Sequence, residues 1–328
     1  MKQRLEWLDV MKGFAMFLVV LGHVLNNMRL FTHPVNLWLH QFHMPFFFML
    51  SGFLAVKTLN KDLLGNIWTK FITLILPFIV CGVTYGLTFG KTNEFIYTEA
   101  HAGYWFLLSL FTCWLIFLPL AYMLRPFRYG RYFIIEALVL LMPFFLGNHL
   151  MKHIPGNVLS VSSFSFTFAD YRFFILGYFI GKWYGNKDIV KHFYRVRQWI
   201  FPISMIVFLS ITIGILMQRD FIYFIPITVL QIILSLSLFA VLHDSAFFVS
   251  PFIIRRLSWI GRNSLALYVF HFYFVYLPPP ENLAENASVF QIMLAIILTI
   301  VVIAITMAVS SPFRNNKILA FCFLGQKK

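Results

Sequence analysis

Apolar runs of about twenty residues recur along the chain, separated by short polar stretches, and a helix of that length is enough to cross a bilayer. Ten runs can be set out, near 10–28, 42–59, 71–90, 104–124, 132–147, 166–184, 199–217, 221–242, 258–277 and 289–312. The fifth is short, and the sixth carries Asp170 and Arg172. The pattern predicts an all-α polytopic membrane helix bundle of about ten transmembrane helices. No composition break, long linker or repeat divides it, so residues 1–328 read as a single domain with no separate soluble domain.

The first run, Trp7 to Met28, departs from a plain span because it carries Asp9, Lys12 and His23. At about 100° per residue, the eleven-residue step from Lys12 to His23 comes within roughly 20° of alignment, some 16 Å apart along the axis. Asp9, three residues before Lys12, joins the same face. An ionisable side chain at mid-membrane costs on the order of 2.5–3.5 kcal/mol, so an aligned set of three points to function. As single residues, Asp9 and Lys12 also suit interfacial anchoring, and His23 also suits packing.

Composition supports the membrane reading. The chain is 60% hydrophobic, 19% aromatic and 12% charged, far from soluble averages. A net charge of +14 would suit nucleic acid, but the basic residues lie between the apolar runs and form no single patch, so no nucleic-acid partner is expected. With the N-terminus in the cytoplasm, all but Arg29, Lys91, Lys152, Arg172 and Arg219 of the 26 lysines and arginines fall on the cytoplasmic side, and both termini are cytoplasmic. Cys81, Cys113 and Cys322 lack metal or redox spacing and read as packing residues. Lys2 and Arg4 before an apolar run resemble a signal peptide, but the run is long, contains Asp9 and Lys12, and ends without a small-residue cleavage site, so it is read as a retained first helix.

Further along, His40 and His43 are spaced for one helix face, although Pro45 favours an extended Met44 and a helix start there, with His43 at the entry. A zinc site needs three or four ligands, and no acidic or cysteine partner is near, so no metal is expected. Ser51-Gly52 suits close helix contact. Lys57, Lys61 and Lys70, and then Arg125, Arg128 and Arg131, make two basic loops that suit lipid headgroups or an anionic substrate equally. Glu136 is expected to pair with the second loop through Arg131. Tyr104 and Trp105 open the fourth run as interface aromatics, and Asp170 and Arg172 lie at the entry of the sixth, where an aromatic rim with one arginine suits a sugar. In the ninth run Ser264, Tyr268 and His271 fall at i, i+4 and i+7, which makes His271 a second intramembrane histidine on a polar face.

The stretches L-D-V-M-K-G-F-A-M-F-L-V-V-L-G-H, F-H-M-P-F-F-F-M-L-S-G-F-L, Y-W-F-L, F-F-I-L-G-Y-F-I-G and S-L-A-L-Y-V-F-H together resemble the acyltransferase-3 integral membrane proteins, close to the fucose 4-O-acetylase-like branch. The resemblance runs over nearly the whole chain. It implies ten spans and transfer of an acyl group, usually acetyl from cytoplasmic acetyl-CoA, to a sugar hydroxyl of an exported or surface glycan in a bacterial cell membrane. It also implies catalysis by His23 with Lys12, which match the family's basic-residue-to-histidine spacing. In the wider family arginine is common where Lys12 stands. A family arginine pair separated by two residues at the third helix is matched by Lys70 and Thr73, so Lys70 alone is left for donor contact.

Such a transfer needs a base for the hydroxyl proton and stabilisation of the oxyanion. His23 suits the base or an acyl relay, and Lys12 suits CoA phosphates or the balancing of Asp9. His43, Trp105, Arg172, Ser264 and His271 are the acceptor-side or supporting residues. No bound cofactor is expected; acyl-CoA enters as a substrate. Two rivals are an exporter of a glycan or lipid-linked sugar, since polar stripes and charged mouths also suit transport, and a lipid-binding structural protein.

Overall fold

The computed structural model describes residues 5–60, 62–125, 132–185, 187–244, 249–275 and 289–326, with no side-chain description at 187–190, 192–194, 197 and 223. Among these residues the chain is helical and forms no strand. The main helices are α1 (Glu6–Asn27), α2 (Pro34–His40), α3 (His43–Thr58), α4 (Leu63–Phe89), α5 (Trp105–Met123), α6 (Phe133–Leu150), α7 (Phe164–Tyr184), α8 (Lys187–Leu216), α9 (Ile227–His243), α10 (Pro251–Arg262), α11 (Ser264–Phe270), α12 (Phe272–Val275), α13 (Val289–Asn315) and α14 (Lys317–Leu324).

Seven stretches are long and apolar enough to cross a membrane: Glu6–Asn27, Pro34–Thr58, Leu63–Phe89, Trp105–Met123, Phe133–His153, Gln198–Leu216 and Val289–Asn315. The protein is thus an all-α, multi-pass membrane helix bundle. The other three expected spans look different. α7 is 21 residues long, but Asp170, Arg172 and Lys182 make it less apolar; α9 has 17 residues. The ninth is broken, because α10 ends at Arg262, Asn263 interrupts, α11 follows, and His271 separates it from α12. Residues 276 and 277 lie outside the described residues. The eighth also starts later than its apolar run, since Asp220–Phe224 is a 3₁₀ turn and Pro226 precedes α9.

Two proline effects shape the early helices. Met44 is helical, not extended, because α3 begins at His43 and Pro45 falls in its first turn, where a backbone N–H has no intrahelical partner in any case. In α4 a π turn at Phe71–Ile75 precedes Pro77, which cannot donate to Thr73; the wider turn accommodates the missing bond.

By contacts the chain forms two compact units, one of Met1–Leu50 with Trp183–Ser310, the other of Ser51–Lys182 with Ser311–Lys328. In the first, α1 is enclosed along most of its length. Its tightest neighbour is α10. A Cβ on Gly13 would lie 2.0 Å from the Leu257 carbonyl oxygen, and one on Gly261 would lie 1.8 Å from that of Asp9, so the backbones touch where only glycine fits. At the other end of α1, the Asn36 amide donates to Asn26 Oδ1 (2.8 Å) and to the carbonyls of Leu30 (3.1 Å) and Phe31 (3.3 Å), which fixes the turn into α2. Trp38 ties α2 to α8 by donating to Thr212 Oγ1 at 2.9 Å.

In the second unit, α3 meets α7 at Gly52, where a Cβ would be 1.8 Å from the Phe174 carbonyl oxygen, the close contact expected of Ser51-Gly52. Glu136 on α6 is buried, accepting from the Tyr178 hydroxyl at 2.8 Å and from the Lys182 ammonium, both on α7. Its partners among the described residues are thus on a helix rather than a loop; Arg131, expected to pair with it, lies outside them, as does Arg128. Cys81 and Cys113 are buried and Cys322 is half-buried, and none of the three is in a disulfide.

Candidate functional site

The site is built on α1. Glu6 and Asp9 stand in its first turn, where negative charge suits the helix dipole. Asp9 is 4% exposed, while Lys12 and His23 are half-buried. Three segments then bring other histidines towards His23. Its ring centroid is 5.1 Å from that of His271 and 4.9 Å from that of Phe272, at the break between α11 and α12. His40 and His43 sit on different helices, at the end of α2 and the start of α3, yet their rings are 5.0 Å apart. His40 and His271 are within electrostatic reach of His23, and His23 and His40 within reach of His43. At Gly22 a Cβ would meet Leu39 Cδ2 at 3.0 Å, a tight contact, and His40 Cε1 at an ordinary 3.9 Å, so α2 lies directly against this turn of α1.

Hydrogen bonds fix which nitrogen the rings of His271, His43 and His40 present. His271 Nδ1 lies 2.7 Å from the Tyr268 carbonyl oxygen and 3.1 Å from that of Leu267. A carbonyl only accepts, so Nδ1 carries the proton and, in the neutral ring, Nε2 carries the lone pair. His271 is fully buried, and its Nε2 has no hydrogen-bond partner among the described residues. His43 Nδ1 donates to the Leu39 carbonyl at 2.8 Å and His40 Nδ1 to that of Asn36 at 2.9 Å, so both present Nε2 in the same way. Among the described residues no three His, Cys, Asp or Glu side chains form a metal-binding group.

The structure therefore gathers His23, His43 and His271 of the expected residues, with Asp9 and Lys12 on the same α1, and Ser264 at the first turn of α11. Lys70, Trp105 and Arg172 belong to the second unit. There the Lys70 ammonium lies 3.7 Å from the Trp114 ring centroid, Trp105 packs on Phe166 at 4.4 Å, and the Arg172 guanidinium lies 4.9 Å from the Phe173 ring and 5.2 Å from that of Phe144.

Two things escape the sequence reading. One is His40, which reaches the group only through the turn pinned by Asn36. The other is α10, whose residues 251–257 read as a loop and the rest as the start of a span. Ile254, Leu257, Ser258 and Gly261 form one stripe and Phe252, Arg255, Arg256, Trp259 and Arg262 the opposite one. That i, i+3, i+4, i+7 spacing is legible as an amphipathic helix once the hydropathy window is set aside.

The profile of the acyltransferase domain family, acyltransferase-3, matches residues 5–313. Nodulation protein NolL of Sinorhizobium fredii (strain NBRC 101917 / NGR234) is 30% identical over 132 residues, covering 33% of this chain and 34% of that one. The match thus spans about a third of that curated relative's length. No solved structure matches. A histidine-bearing first helix, a second buried histidine facing it and a family match from the first described residue through α13 lead to one assignment: the chain belongs to the acyltransferase-3 family.

Proposed function

We propose that this protein is a membrane-embedded O-acyltransferase that moves an acyl group, acetyl in the simplest case, from cytoplasmic acyl-CoA to a sugar hydroxyl of a surface or exported glycan. The observation that carries the reading is the His23–His271 pair, one imidazole partly accessible and the other buried with an open Nε2, in a chain of this family.

In this reading His23 takes the proton of the acceptor hydroxyl as the oxygen attacks the thioester carbonyl carbon. The tetrahedral oxyanion collapses, the carbon–sulfur bond breaks, and the CoA thiolate leaves and is protonated by the His23 imidazolium. His271, with Nδ1–H held by two backbone carbonyls, offers Nε2 to the proton that His23 gains or to the acceptor hydroxyl, which fixes the direction of transfer. Lys12 and Asp9, about three and four turns towards the start of α1, set the charge on the donor side. Lys70 is assigned to donor contact, and His43, Trp105, Arg172 and Ser264 to the acceptor or to support of the site. The bilayer is a bacterial cell membrane.

The test is His23→Ala in the full chain, expressed in membranes and given radiolabelled acetyl-CoA and glycan acceptor. Inserted protein without transfer supports the assignment. Near-wild-type transfer would falsify the role of His23, and a wild type that exports unmodified glycan without consuming acetyl-CoA would replace the enzyme by a transporter.

A further inference from the structure

The outer stripe of α10 is unlike the rest of the first unit. Its inner stripe is spent on the glycine contact with α1, whereas Phe252, Arg255, Arg256, Trp259 and Arg262 are all exposed and together line an open pocket of about 450 Å³. That volume lies within the usual range for a small-molecule site. The arginines are partly pre-set: Arg255 Nε donates to the Pro251 carbonyl at 3.2 Å, Arg262 Nε to that of Ser258 at 3.3 Å, and the Arg256 guanidinium lies 5.1 Å from the Phe252 ring. These contacts leave the terminal amino groups of Arg255 and Arg262 for a ligand. No carboxylate pairs with any of the three among the described residues, so three permanent cations face one pocket without a counter-ion.

From these observations we propose that the α10 pocket binds the phosphorylated nucleotide end of the acyl donor. The inference rests on the acyl-CoA reading given above. Guanidinium forks match phosphate oxygens in pairs, and Trp259 and Phe252 offer faces on which a purine stacks. α10 crosses α1 at Gly13, and ten residues at about 1.5 Å rise separate that crossing from His23, some 15 Å along the axis. The stripe is turned away from α1, so a flexible pantetheine arm anchored there by its diphosphate runs around α10 as well as along that axial distance to bring its thioester to His23. An anionic lipid headgroup shares the phosphate chemistry but brings no purine and no arm.

The experiment uses the purified full chain in nanodiscs, with free CoA as the probe. The Arg255→Gln/Arg256→Gln/Arg262→Gln variant is expected to bind CoA at least about tenfold more weakly than wild type, and to lose the steep salt dependence of exposed charges. Trp259→Ala is expected to weaken CoA several-fold while leaving affinity for inorganic pyrophosphate unchanged, and as a single exposed substitution it stands in if the triple variant does not fold. Phosphatidylglycerol vesicles are the second arm. A triple variant that keeps wild-type CoA affinity overturns the proposal, and so does one that loses only its affinity for phosphatidylglycerol vesicles. If wild type binds no CoA, the donor reading itself falls with it; if wild type and His23→Ala bind CoA equally and the triple variant does too, only the pocket assignment falls.

Discussion

Glu136 is 2% exposed, and both its carboxylate oxygens are occupied, one by the Tyr178 hydroxyl and the other by the Lys182 ammonium. His271 is no less buried, yet only one of its ring nitrogens is occupied. The two regions meet the same cost, that of a polar group taken from water, in opposite ways. A closed network specifies packing; removing one member leaves a buried charge unpaired. An open nitrogen beside a second imidazole keeps a valence for something that is not part of the fold. An open nitrogen alone is not sufficient, as His101 shows. Its Nδ1 donates to the Phe95 carbonyl at 2.6 Å and its buried Nε2 has no partner among the described residues, but its ring neighbours are Phe78 and Phe95. What sets His271 apart is His23 at 5.1 Å.

The largest effect that would break this comparison is on rate. His23→Ala is expected to lower acyl transfer by about 10⁴-fold, the upper end for a single acid–base group, with thermal stability in detergent close to wild type. Glu136→Ala is expected to do the reverse. It should cost about 1–3 kcal/mol of stability, chiefly by leaving the buried Tyr178 hydroxyl without its acceptor beside a partly exposed Lys182, while the protein that remains folded transfers at the wild-type rate. If instead transfer per folded molecule collapses, the closed network is not merely structural. His271→Asn comes next, with about 10²-fold slower transfer and an unchanged melting temperature. A drop in melting temperature at normal rate would return His271 to packing.

Smaller effects sharpen the picture. Asn36→Ala leaves two backbone carbonyls and Asn26 without their donor and is expected to cost about 1–3 kcal/mol, with transfer reduced through displacement of His40. Burial pushes the His101 imidazole below its ordinary value, against the opposing pull of its backbone hydrogen bond and of Glu99. A group lowered in this way takes up a proton on unfolding, so its contribution is present above about pH 6.5 and is lost as pH falls below it. His101→Gln should therefore flatten the acid side of the stability profile, which a melting series across pH will show.

Much of this was legible in the sequence, and the residues show where legibility ends. The stripe of Asp9, Lys12 and His23 follows from helical period alone, and the quoted motifs point to the family before any coordinate. Ser51-Gly52 reads correctly because small residues at a helix contact act locally. Contacts between distant segments do not show in local pattern. Nothing around Gly13 names Gly261 as its neighbour, and nothing around Glu136 selects Tyr178 and Lys182. The break at Asn263 and His271 is hidden by a hydropathy window, which averages over the change from an amphipathic helix to an apolar one.

The enclosure of α1 has a consequence for how the protein is made. α1 leaves the ribosome ahead of every other helix described, yet its closest neighbour, α10, is synthesised roughly 240 residues later. At about 5–20 residues per second, the wait is on the order of ten to fifty seconds. Through that interval the start of α1 around Asp9 and Gly13 sits in an insertion site or in lipid without α10, and His23 without the α11–α12 break that later meets it. This early span is thus enclosed late, and a chain cut short before residue 251 lacks both the helix that packs on Gly13 and the break that meets His23.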